Sequence, residues 1–123
     1  MYEIYFYKDS RGRRPVWDYL EKLEAESGKD GRIKYNKNLE YLQTLQKYGT
    51  KAGVPYVKHL SGEIWELRPL RDRILFAAWV ENSFILLHVF MKETQKTPAR
   101  EIDKAKRELR EIRERGLHDE PEK

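Results

Sequence analysis

The sequence predicts a single α+β domain over residues 1–116, with the element order β-α-α-β-β-β-α. The chain begins with a short run of aromatic and β-branched residues and continues with two stretches of helical apolar periodicity. Three apolar runs of strand length follow at residues 63–67, 74–80 and 84–91, and then a charged periodic stretch. With 123 residues, 39% of them hydrophobic, the chain suits one compact domain with a modest core.

The first strand is predicted at residues 2–7, because the run YEIYFY is rich in aromatic and β-branched residues. Its nearly continuous apolar character predicts an interior position in the sheet. After a polar turn, Pro15 begins the first helix at a position where a missing N–H costs little. Gly28 and Gly31 end the helical pattern. One apolar stripe is expected to face the core: Val16, Tyr19, Leu20 and Leu23.

The second helix is predicted from about residue 32 to residue 48, with Gly49 as its C-terminal stop. The two helices form a hairpin that must bury its apolar stripes, and the sheet is the expected partner. Residues 56–60 are interpreted as a short extended piece. The buried side of the second helix is predicted to hold Tyr35, Leu39, Leu42 and Leu45.

The three apolar runs are predicted to be strands, with residues 81–83 as a tight hairpin connection between the last two. Thr97 is a good N-cap and Pro98 a good first residue for a C-terminal helix that Gly116 closes. Residues 117–123 are predicted to form a flexible tail. The C-terminal helix should pack on one surface only, through a narrow stripe: Ile102, Ala105, Leu109 and Ile112.

The composition excludes several kinds of site. There is no cysteine, so disulfides and thiolate–metal sites are excluded. The three histidines are scattered and lack the spacing of metal ligands. Phosphate-loop and metal-binding motifs are also absent, so neither a metal ion nor a cofactor is expected. No apolar run approaches the roughly 18 residues of a membrane span, and the N-terminus does not resemble a secretory signal. A cytoplasmic protein without membrane association is expected.

Basic residues collect at the ends of the predicted strands. Arg68, Arg71 and Arg73 lie in or beside the first connection of the three-strand run, and Lys92 and Lys96 follow its last strand. In an antiparallel meander, alternate connections lie at the same edge of the sheet. These cations should therefore meet at one edge. A rigid sheet with clustered cations at one edge suggests a site for phosphate groups.

Three segments carry a resemblance to a known family. They read LSGEIWELR at residues 60–68, RILF at residues 73–76 and LHVFMKETQKTP at residues 87–98. The combination resembles the HigB-like branch of the RelE toxin superfamily, which includes phage-derived toxin-like proteins, and the likeness covers nearly the whole chain. Glu93 departs from the pattern, since the family often has a second lysine there.

The resemblance implies a RelE-like fold and the toxin of a type II toxin–antitoxin module. Such toxins are endoribonucleases that cut mRNA without a metal ion, commonly on translating ribosomes. It also implies a neutralising partner, a HigA-like antitoxin with a helix-turn-helix domain. The complex of the two proteins would repress its own operon, so that operator DNA is contacted through the antitoxin.

Cleavage by the 2′-hydroxyl needs a base, cations for the phosphorane charge and a proton donor for the leaving oxygen. Arg73 is the first candidate for clamping the phosphate, from a rigid position after a turn. Arg68 would share the same phosphate, and Lys92 would stabilise charge or transfer a proton. Three further residues are predicted to bind the RNA backbone: Lys58, Lys96 and Arg71.

Each assignment has a structural alternative. Arg73 could be a surface arginine without a role, and Lys92 a solvated lysine at a strand end. Arg68 could form a salt bridge with Glu66 or Asp72. The alternative at the level of function is a non-catalytic module that binds RNA or the ribosome and blocks translation.

Other chemistry-bearing residues are expected to be structural. His88 lies within an apolar run and is interpreted as a satisfied core histidine. Glu66 is a poor candidate for the general base, because an acidic group beside the substrate phosphate is electrostatically unfavourable. Three aromatic residues could stack on a base, but core packing is the stronger expectation for them: Trp65, Phe76 and Trp79.

Overall fold

A five-stranded mixed sheet lies between two helical layers in the computed structural model of the protein, which describes residues 1–116. A 3-10 helix at Gly49–Ala52 follows the second α-helix. Along the chain, the helices and strands are β1 (Glu3–Phe6), α1 (Pro15–Ala25), α2 (Lys29–Tyr48), β2 (Val57–Ser61), β3 (Ile64–Leu67), β4 (Asp72–Ala78), β5 (Ser83–Met91) and α3 (Ala99–Arg115).

The strand order across the sheet is β1-β5-β4-β3-β2. β1 pairs with β5 in parallel, whereas β2, β3, β4 and β5 form an antiparallel run. The α+β class, the antiparallel-rich sheet, the N-terminal helical hairpin and the C-terminal helix are confirmed. The predicted tail, residues 117–123, lies outside the described residues. Among residues 1–116, no helix combines the length and apolar character that a membrane crossing requires.

β1 lies at the edge of the sheet, so the predicted interior position is wrong. Ile4 and Phe6 are buried on the side of α1 and α2, whereas Tyr7, just beyond the strand, is buried on the side of α3. A strand that is covered on both faces needs apolar residues at every position, even at an edge. The continuous apolar run reflects two covered faces rather than two neighbouring strands.

β2 is a complete strand rather than a short extended piece, and the element order becomes β-α-α-β-β-β-β-α. Val57 is buried and pairs with Leu67, but the next two residues, Lys58 and His59, are exposed. An edge strand with a single buried residue has no clear alternation of apolar and polar positions. This weak pattern explains why the sequence did not predict the strand.

The α1–α2 hairpin covers one face of the sheet. Val16, Leu20 and Leu23 of α1 are buried, as the stripe predicts, and Tyr19 is partly buried. α2 begins at Lys29, three residues earlier than predicted. Gly31 therefore lies inside the helix, where an added Cβ would approach Glu26 Cβ to 2.8 Å. The glycine permits the close approach of the α1–α2 turn instead of ending the helical pattern.

Gly49 ends α2 with a φ of 64°, in the left-handed region that favours glycine. A Cβ at this position would lie 2.8 Å from the ring of Tyr2. We expect Gly49→Ala to lower the free energy of unfolding by about 1–3 kcal/mol, from backbone strain and steric overlap together. Chemical denaturation measures the loss. Gly28→Ala is the matched control, because a Cβ there meets nothing within 4 Å, and an equal loss in both variants would contradict the prediction.

α3 covers the opposite face through Ala105, Leu109 and Ile112, as predicted. Its N-terminus differs by one residue from the prediction, since Pro98 is the N-cap and Ala99 the first helical residue. The hydroxyl of the predicted N-cap, Thr97, donates instead to Glu66 Oε2 at 2.6 Å. A tertiary hydrogen bond has replaced the local cap.

Glu108 is an acidic residue on the buried side of α3, with 9% of its surface exposed. Its Oε1 is buried without a hydrogen-bond partner among the described residues, although Lys104 Nζ lies 3.7 Å from Oε2. Burial outweighs this ion pair and raises the pKa of Glu108 from 4.5 to about 7. Between these two pH values the folded state binds more protons than the unfolded chain, so the stability contributed by Glu108 falls as pH rises and is lost above pH 7.

Glu108→Gln should therefore stabilise the protein at pH 8 by roughly 2–3 kcal/mol and leave stability near pH 5 almost unchanged. Glutamine keeps the shape of the side chain but cannot ionise. Unfolding free energies from pH 5 to 8 measure the effect. Glu114→Gln, an exposed change on the same helix, is the control. Parallel pH profiles for the wild type and Glu108→Gln would contradict the prediction.

A candidate anion-binding cleft at one edge of the sheet

The β3–β4 connection and the end of β5 lie side by side. Arg73 pairs with Phe90 across β4 and β5. Just beyond this pair, the Lys92 N–H donates to Arg71 O at 2.7 Å, and Arg71 Nη2 donates to Lys92 O at 2.9 Å. The two cation-bearing segments that the sequence placed at one edge are therefore joined there by hydrogen bonds.

A cleft of about 230 Å³ lies at this edge, between the strand ends, residues 92–98 and the first turn of α3. It brings together most of the cations that the sequence singled out, and it adds one that the sequence analysis missed, Arg100 in α3. In the sequence, nothing distinguishes Arg100 from the other charged residues of this helix. The basic residues that line the cleft are Arg68, Arg73, Lys92, Lys96 and Arg100.

Two predicted RNA-binding residues do not line the cleft. The side chain of Arg71 donates to the main chain of Lys92, which ties the β3–β4 turn to the strand end. Lys58 is exposed on β2 and pairs directly with Glu66 of β3. Because opposite residues of an antiparallel pair project to the same face, Lys58 lies on the cleft's side of the sheet.

Arg73 is a buried cation with 6% of its surface exposed. Its Nη1 donates to Leu70 O and to Asp72 O, both at 2.8 Å. Leu70 itself has a φ of 56°, which is unusual for a residue other than glycine. Burial lowers the pKa of Arg73, and the neighbouring Glu66 opposes this shift. The guanidinium is thus held through its Nη1 atom against the turn that precedes β4.

Glu66 is the acidic group between the two arginines, with 3% of its surface exposed. Its Oε1 lies 3.5 Å from Arg68 Nε and 3.9 Å from Arg73 Nε, and its Oε2 accepts the Thr97 hydroxyl. The Arg68–Glu66 salt bridge, which was the structural alternative for Arg68, is present. One carboxylate between two guanidinium groups leaves this part of the cleft with a net positive charge.

A buried polar network behind the turn was missed by the sequence analysis. Asp72 Oδ2 accepts from Tyr19 Oη at 2.8 Å and from Asn38 Nδ2 at 3.1 Å, while Lys34 Nζ lies 3.6 Å from Oδ1. Asp72 and Asn38 are 2% and 0% exposed. Asn38 precedes Leu42 and Leu45 by four and seven residues, so a polar residue in the apolar stripe of α2 was the available signal. The network fixes the turn that carries Arg73 to both helices of the hairpin.

The remaining candidates have structural partners. His88 Nε2 lies 2.6 Å from Glu101 Oε1, and burial lowers the pKa of this histidine. Phe76 is fully buried in the core, Trp65 is partly buried beside His59, and Trp79 packs against the α3-side core. These positions fit the core interpretation of His88 and the aromatic residues.

The sheet with its helical hairpin, its C-terminal helix and the basic cleft at one edge define a protein of the RelE-like α+β class. The chain belongs to the phage-derived Gp49-like protein family (DUF891), whose model matches residues 18–110. This family is RelE-like and toxin-like in class. No curated protein matches the sequence.

Proposed function

We propose that the protein is the HigB-like toxin of a type II toxin–antitoxin module and cleaves mRNA on translating ribosomes. One observation carries this proposal: the cleft that gathers Arg68, Arg73, Lys92, Lys96 and Arg100 at one edge of a rigid sheet. Phosphodiester groups are the ligands that such a set of cations suits best. Membership of a toxin-like family supports the same class of function.

In the proposed reaction, the 2′-hydroxyl gives its proton to a water molecule, its oxygen attacks the adjacent phosphorus, and the bond from phosphorus to the 5′-oxygen breaks. The products are a 2′,3′-cyclic phosphate and a free 5′-hydroxyl. Arg73 binds the phosphate and stabilises the charge that develops on it, because its position is fixed before substrate arrives. Arg68 shares this charge, and Lys92 supplies a cation or the proton for the leaving oxygen.

Glu66 acts in this proposal as a positioning residue and not as the general base. Its two oxygens already face Arg68, Arg73 and the Thr97 hydroxyl, and it is buried. Its charge offsets part of the repulsion between the two guanidinium groups. Lys58, Lys96 and Arg71 are proposed to hold the RNA backbone on either side of the reacting phosphate.

The partners follow from the proposed class. A HigA-like helix-turn-helix antitoxin neutralises the protein, and operator DNA is bound through that antitoxin. The ribosome presents the mRNA strand in the cytoplasm. A small helix-turn-helix protein encoded beside this gene is the expected genomic arrangement.

A second candidate function is a non-catalytic block of translation through the same cleft. Three carboxylates line the cleft, and this function is favoured because two of them are engaged by other side chains and the third lies at the rim. Glu66 is engaged with Thr97 and Glu101 with His88, whereas Glu93 is exposed at the rim. A module that only binds RNA needs no base.

Mapping of the 5′ ends of cellular mRNA after induction distinguishes the two functions. Cleavage should create new 5′-hydroxyl ends within coding sequences, and these ends should be absent before induction. Addition of a translation-initiation inhibitor after the protein has accumulated tests the need for ribosomes, because it clears newly made mRNA of translating ribosomes. A translation block with intact mRNA would overturn the nuclease proposal and favour the binding module.

A further inference from the structure

A second group of cations lies beyond the cleft, on the side of the sheet that α3 covers. It lines an open hollow of about 440 Å³ between α3 and the loop that joins β1 to α1. Arg11 and Arg13 come from the loop, and Lys104 and Arg107 come from α3. None of these four residues lines the cleft, and the reaction proposed above uses none of them.

One side of α3 connects the cleft with this hollow. Arg100 lines the cleft, and Lys104 and Arg107 follow it at i+4 and i+7. Residues at this spacing project from the same side of a helix, so the three cations form a continuous basic stripe. From Arg100 to Arg107 the helix rises about 10 Å, which is about three nucleotides of a stacked single strand.

The loop holds its two arginines in a fixed place. Asp9 Oδ1 accepts the N–H groups of Arg11 and Arg13 at 2.9 Å each, and Asp9 Oδ2 accepts Arg13 Nε at 2.9 Å. Just before the loop, the Tyr7 hydroxyl donates to Glu111 Oε1 of α3 at 2.8 Å. A ligand therefore meets cations whose backbone is already in position, which lowers the entropic cost of binding.

The acidic residues of the hollow offset only part of its positive charge. Among the described residues that line it, Asp9 and Glu108 are acidic and four are basic. Asp9 is already paired with Arg13 at 2.9 Å. Glu108 is buried, and burial raises its pKa to about 7, so that it is partly uncharged at neutral pH. The hollow is therefore positive and attracts anions.

We propose that this hollow binds the phosphodiester backbone of the same RNA strand, about three nucleotides away from the bond that is cleaved. The basic stripe of α3 holds the strand between the two places. This inference rests on the proposed binding of RNA in the cleft and extends it to a flanking site. Guanidinium groups bind phosphate by paired hydrogen bonds, and such contacts fix the position of the strand without reading its sequence.

Uncleavable oligonucleotides test the proposal on the full-length protein. 2′-O-methyl oligouridylates of about three and about eight nucleotides lack the attacking hydroxyl, and the shorter one cannot reach from the cleft to the hollow. Arg11→Gln/Arg107→Gln removes two exposed cations of the hollow. Fluorescence anisotropy should show at least about tenfold weaker binding of the octamer and unchanged binding of the trimer. The slope of log K against log salt for the octamer should fall in magnitude by about 1.4, or roughly 0.7 for each lost phosphate contact.

Lys47→Gln/Arg110→Gln is the matched control. It removes the same number of exposed cations, and neither residue lines the cleft or the hollow. Octamer affinity should stay within about twofold of the wild type, because distant surface charges are screened by salt. An equal loss in both double variants would mean a general charge effect and would overturn the proposal. Wild-type octamer affinity in a hollow variant that circular dichroism shows to be folded would overturn it as well.

Ribosomal RNA offers the same phosphodiester chemistry, and sedimentation with mRNA-free ribosomes distinguishes the two sources. The hollow variant should sediment with these ribosomes like the wild type. Normal octamer binding together with weakened ribosome binding would overturn the proposal and assign the hollow to ribosomal RNA. Failure of the cleft is seen separately. An Arg73→Ala protein that binds both oligonucleotides normally would contradict the proposed function, while the comparison of the two double variants still tests the hollow.

Discussion

Replacement of Arg73 by alanine should abolish growth arrest on induction and reduce mRNA cleavage by at least about 100-fold. Its guanidinium lies in the cleft with its geometry already set by Leu70 O and Asp72 O. Removal of a preorganised cation from a site where negative charge develops is costly, because no mobile group can replace it. Growth curves and 5′-end mapping measure the two effects.

The fold of this variant must be checked, because Arg73 also caps a turn and is buried. Circular dichroism and thermal unfolding provide that check. Arg73→Lys keeps the charge but lacks the planar fork of donors, so it should retain only a small part of the activity. Arg110→Ala removes an exposed arginine of α3 outside the cleft and should behave as wild type. Full growth arrest by a folded Arg73→Ala protein would remove this residue from the proposed site.

Replacement of Asp72 by alanine should lower the free energy of unfolding by about 3 kcal/mol. The change leaves the Tyr19 hydroxyl, the Asn38 amide and the Lys34 ammonium without their shared acceptor. Asn38 is completely buried and cannot turn to water instead. Denaturant titration measures the loss, and the turn that carries Arg73 should loosen with it.

Asp103→Ala is the matched control for this stability prediction. Asp103 is exposed on α3, and its removal should change the free energy of unfolding by less than about 0.5 kcal/mol. Equal stability of the Asp72→Ala and Asp103→Ala proteins would show that the buried network contributes little. Activity measured below the unfolding temperature of Asp72→Ala then reports how far the network positions Arg73.

The sequence predicted the meander and its basic edge well, because both rest on local signals. Apolar runs of strand length and short polar connections define β3, β4 and β5, and the pairing rule for antiparallel strands then places Arg73 beside Lys92. The placement of Arg68 and Lys96 in the same cleft follows from the same reasoning. Their roles in chemistry stay predictions.

Sequence reasoning failed where a tertiary contact replaced a local preference. Thr97 has the chemistry of an N-cap, but its hydroxyl donates to a carboxylate of β3. Asp72 and Asn38 are polar residues of ordinary surface types, and only the fold brings them together in the interior. The apolar run of β1 could not report its edge position, since burial between helices produces the same pattern as burial between strands.

The parallel pairing of β1 with β5 has a consequence for the order of folding. Glu3 pairs with Ser83, so β1 leaves the ribosome long before its partner strand β5 has been made. Pairing between distant segments is slow, because the intervening loop must be closed before any contact forms. A nascent chain that ends before β5 lacks both the partner of β1 and Lys92, which follows that strand. Incomplete chains are therefore expected to be unfolded and inert, and the cleft to form only after synthesis has passed α3.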